Sequence, residues 1–241
     1  MTSAVLRLDG MTVPVETAGP SRKARLTIER DGSLCLRAAE DVGTEELERF
    51  LAAKRTWIYR KLAEKEILHY EPVTKELVDG EGFLYLGRSH RLRIADTDDK
   101  RVRLDRGRLV LPRSLREDGH AAVVRWYQAG GEKWLRPHVS EWASRLRVDV
   151  RSLDVSDLGH KWGAADHAGR VRIHWASMQL RPVLVEYVLA HELAHLREPH
   201  HGPAFWRLLT RALPDCDERK NELAHTGAKL WLGALPVRSA R

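Results

Sequence analysis

Cysteine is nearly absent from this 241-residue chain, which carries only Cys35 and Cys216. Far apart in sequence, the two supply neither a disulfide framework nor a cysteine-rich metal site. Long apolar runs are missing as well. A membrane-spanning helix needs about 18 or more consecutive apolar residues, and Glu186 interrupts the best candidate. The N-terminus has no secretory hydrophobic region, so the expected location is cytoplasmic and no membrane partner is expected. No internal repeat and no low-complexity tract stands out. Acidic residues are in deficit, 34 against 41 Lys and Arg, which leaves a formal net charge of +7. That balance suits an anionic partner such as nucleic acid. No recognised nucleic-acid-binding module accompanies it, and alternating stretches such as RVRLDRGRLVL have the pattern of half-exposed strands.

Histidine, by contrast, is plentiful at 12 residues, and two of them fall into an HExxH pattern: His191, Glu192 and His195, written HELAH. Four residues along an α-helix return two side chains to one face with Cβ atoms roughly 5–6 Å apart, so two imidazoles can bind one metal ion. The intervening glutamate then stands beside that ion, where it can take a proton from an activated water. The preceding segment supports a helix. Pro182 suits a first helical turn, and Val183, Leu184, Val185, Tyr187, Val188 and Leu189 make the stretch strongly apolar. Pro199 ends it, because proline cannot continue a helix and displaces its predecessor from the helical region.

A catalytic zinc ion takes three protein ligands and keeps one position open for water. The third ligand must come from outside the helix, and His200 and His201 follow the turn directly. His201 lies ten residues after His191, the spacing of HExxHxxGxxH enzymes, but Glu198 occupies the glycine position of that pattern. Spacing alone leaves both histidines as candidates. The next segment, residues 202–213, has the pattern of another helix, with Pro203 at its start and Phe205, Trp206, Leu208 and Leu209 available for packing.

The stretch HELAHLREPHHGPAFW resembles the signature of the YgjP-like metallopeptidase family, related to the SprT-like zincins. Aligning on Phe205 and Trp206, the resemblance implies that His201 is the third ligand. Lys161, Trp162 and Gly163, followed by a strand ending at His174 and Trp175, are similar to a second family motif, as are the helix around Trp57 and the segment Tyr85 to Gly87. The chain departs from the family at Ala164, Ala165 and Asp166, at His174 in place of asparagine, and at His200 and Gly202. For His174 the expected role is a hydrogen-bonded strand histidine, with substrate contact as the rival. Tyr187 is expected in the core, and His160, His167 and His225 are assigned no role.

The remaining pattern predicts strands over Val5 to Leu36 with a hairpin turn at Asp31-Gly32. A helix is predicted from Thr44 to about Glu66, and strands around Phe83 to Ile94 and Val102 to Leu111. Two helices follow, Ala121 to Ala129 and Glu132 to Leu146, separated at Gly130-Gly131, with Trp126, Trp134 and Trp142 forming a packing stripe. Short strands around Ser152 to Ser156 and Arg170 to Trp175 precede the HELAH helix, and Asp215 to Trp231 forms a last helix, ended or weakened near Gly227. The expectation is an α+β protein: an N-terminal β-rich unit over 1–114 and a zincin-like domain over 115–241. It would be a Zn²⁺-dependent hydrolase of peptides or proteins, with His191, His195 and His201 as ligands and Glu192 as base. A zinc-dependent hydrolase of nucleotides or phosphate esters, and a non-catalytic nucleic-acid or partner-binding module, are the rival readings.

Overall fold

The computed structural model describes residues 5–17, 24–28, 34–67, 73–159 and 161–233, without the side chains of 60–67. These residues form an α+β architecture of five α-helices and three small sheets. The chain divides into two compact units, Met1–His69 and Tyr70–Arg241.

In the first unit, β1 (Val5–Leu8), β2 (Met11–Thr17), β3 (Arg25–Ile28) and β4 (Leu34–Ala38) form a sheet of order β1-β2-β4-β3, followed by α1 (Thr44–Ile67). Leu6, Val13, Leu34, Leu36, Leu47, Leu51 and Ile58 make its core. The Asp31-Gly32 turn lies outside the described residues, although the strands on either side of it pair antiparallel.

The second unit opens with β5 (Gly82–Tyr85), β6 (Arg88–Ala95), β7 (Arg103–Asp105) and β8 (Arg108–Pro112), in the order β5-β6-β8-β7. Both four-stranded sheets thus share one plan, a parallel central pair with an antiparallel strand on each side. This is a topological repeat that the sequence does not display, since a sheet plan constrains the alternation of apolar residues and the turns rather than residue identities. The β5–β6 and β7–β8 connections are two-residue turns, Leu86-Gly87 and Arg106-Gly107, with positive φ at both residues. That geometry matches the twist of a hairpin.

Helix α2 (Gly119–Leu146) runs unbroken through Gly130 and Gly131, where a break was expected. The glycines serve packing instead. A Cβ on Gly131 would stand 3.0 Å from Met178 Cγ, and one on Gly130 would stand 3.1 Å from the Tyr85 hydroxyl. Tertiary contact therefore overrides the low helix propensity of the pair. Trp142 is buried in the core, and Trp126 and Trp134 pack against it.

The expected strands appear as β9 (Ser152–Ser156) and β11 (Arg170–His174), which pair in parallel, and a further edge strand, β10 (Gly163–Ala165), joins β11. A 3₁₀ turn over Trp175–Gln179 leads into α3 (Pro182–His195), followed by α4 (Pro203–Ala212) and α5 (Cys216–Gly227). Helix α3 buries Leu184, Val185, Val188, Leu189, Ala190, Leu193 and Ala194 around its circumference, as a helix at the centre of a core does.

The expected boundary near residue 114 differs from the compact units, which meet between 69 and 70. Phe83, Leu92, Leu109 and Leu111 of the β5–β8 sheet belong to the same hydrophobic cluster as α2, α3 and α4. Removing one of these side chains should therefore weaken the unit containing α3 as a whole. Leu109→Ala is expected to destabilise by about 2–5 kcal/mol, and thermal unfolding should show the loss in the same transition that Leu189→Ala affects.

Candidate metal centre

The candidate site begins at the C-terminal end of α3. His191 and His195 lie one turn apart there, with ring centroids 4.9 Å from each other. After His195 the backbone closes tight turns, with Leu196 N–H donating to Leu193 and Glu198 N–H to Ala194, and Pro199 prevents the helix from continuing. The chain then doubles back, and α4 starts at Pro203. This reversal brings His201 over the end of α3. Its Nε2 lies 2.9 Å from His191 Nε2 and 3.1 Å from His195 Nε2. Among the described residues these three imidazoles form the group able to hold a metal ion. His200, the rival candidate, is exposed and outside that group.

The residues fit such an ion. Three nitrogens bound tetrahedrally at about 2.0–2.1 Å stand roughly 3.3 Å apart, close to the separations present. His195 Nδ1 lies 3.1 Å from the carbonyl oxygen of Glu198; donation of that N–H leaves Nε2 with a lone pair facing the centre. Protonation of the rings is opposed as well. Burial, reinforced by the neighbouring His195, His201 and Lys220 charges, pushes the His191 pKa down to about 3, and burial lowers those of His195 and His201. Neutral imidazoles converging on one point are what a divalent cation requires.

Phe205, fully buried on α4, holds the three rings from one side. Its ring stacks on His195 at 4.5 Å and meets His191 and His201 edge-on at 4.9 and 4.8 Å. Trp206 stacks on His201 at 5.9 Å, and the Lys220 ammonium lies 4.7 Å from the Trp206 ring centroid.

Glu192 is buried at 8% exposure and packs against the backbone of β10. A Cβ on Gly163 would come within 2.4 Å of Glu192 Cγ and 2.8 Å of its Cδ. Only the absence of a side chain at residue 163 lets the carboxyl group lie there. Burial raises the Glu192 pKa to about 7, opposed by the positive charge of Lys161.

His174 lies apart from the triad at 1% exposure. Its Nδ1 accepts the Ala176 N–H at 3.0 Å and its Nε2 faces Asp157 Oδ1 at 3.4 Å. It is the hydrogen-bonded strand histidine expected. Tyr187 is buried at 4% exposure, as expected, with its ring 5.9 Å from His191. His167 and His225 are exposed, and His160 lies outside the described residues.

A family model described as YgjP-like, metallopeptidase domain, matches residues 22–226. The chain belongs to the YgjP-like metallopeptidase family. Among solved structures it is similar to the metallopeptidase zymogen of Pyrococcus abyssi abylysin, at 19% identity and a TM-score of 0.36, covering 38% of this chain and 93% of that one. No curated protein matches. Two marks of YgjP-like resemblance acquire physical roles here: the glycine of Trp162-Gly163 makes room for Glu192, and the phenylalanine of Phe205-Trp206 packs on all three imidazoles. Neither role follows from sequence, because both depend on segments distant along the chain. The Glu198 carbonyl is invisible to sequence for a further reason, since any residue would supply it.

His201→Ala should remove stoichiometric metal, whereas His200→Ala should retain it; elemental analysis after exhaustive dialysis distinguishes the two. Phe205→Ala is expected to weaken metal affinity by on the order of 10–100-fold, measured by competition with a chromogenic chelator.

Proposed function

We propose that this protein is a zinc-dependent peptidase in which His191, His195 and His201 hold the ion and Glu192 is the general base. The observation that carries this reading is the convergence of three Nε2 atoms at the end of a helix whose next buried side chain is a carboxylate. A zinc ion held there would supply Lewis acidity, polarising the scissile carbonyl and making a water molecule easier to deprotonate.

Glu192 takes the proton from the attacking water and returns it to the departing amine. A base works best when its pKa lies near the working pH, and burial brings Glu192 to about 7. Gly163 leaves the room that this carboxyl group occupies. His195 is oriented through the Glu198 carbonyl, and Phe205 restrains all three rings. Among the described residues no fourth side chain joins the triad, which favours an open centre over a closed structural one. A peptide or protein substrate accords with membership of a metallopeptidase family. Hydrolysis of nucleotides or phosphate esters would draw on the same centre, so substrate choice is tested directly. Metal-loaded protein is expected to cleave casein-type peptides and to leave nucleoside triphosphates intact.

Glu192→Gln should keep stoichiometric metal and lose peptide hydrolysis by on the order of 10²–10⁴-fold; full activity in that variant would remove the proposed base. Gly163→Ala should likewise retain metal while lowering kcat, because the added methyl group displaces the carboxylate but touches none of the three ligands.

A further inference from the structure

Four arginines on the outer face of the β5–β8 sheet share one hollow. Arg91 and Arg93 alternate with the buried Leu92 along β6, which turns both away from the core. Arg108 stands beside Arg91 in the β6–β8 register, and Arg106 sits in the two-residue turn joining β7 to β8. Together they line a shallow cavity of about 800 Å³. Its one carboxylate, that of Asp79, accepts the Ile94 backbone N–H at 2.6 Å. Arg91 donates to the Gly80 carbonyl at 2.9 Å, which positions the guanidinium without neutralising it.

Among the described residues none of the four has a carboxylate partner; Arg103, Arg113, Arg170, Arg181 and Arg219 of the same unit do have one, while others such as Arg88, Arg125 and Arg172 do not, so it is the shared hollow that sets these four apart. Like charges gathered in a concave surface repel one another and focus positive potential. An anion relieves that repulsion. Guanidinium forks match the paired oxygens of a phosphate group. The hollow has no aromatic lining, so it offers bases no stacking platform of the kind single-strand binders use. What it can engage is a sugar–phosphate backbone. A duplex presents the greatest charge density, about one per 1.7 Å of axis, while an extended acidic peptide repeats carboxylates on any one face only about every 6.6 Å.

We propose that this face binds the phosphate backbone of double-stranded nucleic acid without sequence preference. None of its residues touches the histidine triad, so the assignment stands or falls independently of the peptidase reading.

The test uses the full-length, metal-loaded protein and fluorescence anisotropy with two labelled random-sequence duplexes of equal length, one DNA and one RNA. Four phosphate contacts predict a log–log salt slope of about −3.6. Each Arg→Gln change should reduce the steepness by about 1, and the R91E/R108E pair should weaken binding by on the order of tenfold or more. The carboxylate-paired Arg170→Gln should leave affinity unchanged. Metal content and circular dichroism verify that the variants remain folded. Three results would each overturn the proposal: no binding to either duplex, binding unaffected by R91E/R108E, or competition by polyglutamate as effective as that by unlabelled duplex.

Discussion

Helix α3 is surrounded by hydrocarbon along nearly its whole length, and that burial governs where its few polar groups can lie. Leu184, Val185, Leu189, Ala190, Leu193 and Ala194 are each fully inaccessible to solvent. A helix packed on most of its surface cannot rotate or slide without opening cavities in a close-packed interior. His191 and His195 therefore have fixed directions set by the packing of the helix itself. The reversal at Pro199 then brings His201 to them from outside the helix, and Phe205, one short helical step later, is buried against all three rings. Rigid support is what a metal site needs, because ligands that must be gathered from a mobile loop lose affinity to the cost of ordering them.

The same burial has an electrostatic consequence. Imidazoles and a carboxyl group taken from water lose solvation of their charged forms, so His191 is held neutral and Glu192 retains its proton to a higher pH than an exposed glutamate. Lys161 and Lys220, at the margins, act in the direction expected of positive charge: one lowers the Glu192 pKa, the other those of His191 and His201. Neutral nitrogen donors beside a carboxyl group poised near neutrality form a chemically coherent set, produced largely by desolvation rather than by ion pairing.

The two four-stranded sheets illustrate how a plan can recur without a visible sequence repeat. Each has one parallel central pair and two antiparallel outer strands, yet their cores are filled differently, by Leu6, Val13 and Leu36 in one and by Phe83, Leu92 and Leu109 in the other. Within the second sheet the alternation has two uses. Inward residues join the core that supports α3, and outward ones assemble the unpaired arginines.

Local chemistry made much of this protein legible from its residues alone. The HELAH spacing specifies two imidazoles on one helix face and a neighbouring carboxylate, because a helix has one period. Turn glycines, strand alternation and the prolines at 182, 199 and 203 mark most of the elements for the same reason: each acts within a few residues. What lay beyond reach involves distant segments. Spacing left His200 and His201 as rivals; the family resemblance favoured His201, and the path of the chain after Pro199 brings its ring to the other two. Gly130 and Gly131 promised a break that packing against Tyr85 and Met178 removes. The β5–β8 sheet belongs with α3 because its apolar face enters the same core. The room that Gly163 leaves for Glu192, and the hollow shared by four arginines, exist only once separate elements of the fold lie side by side. Propensity and periodicity are properties of a segment, whereas steric fit and charge clustering are properties of the assembled surface.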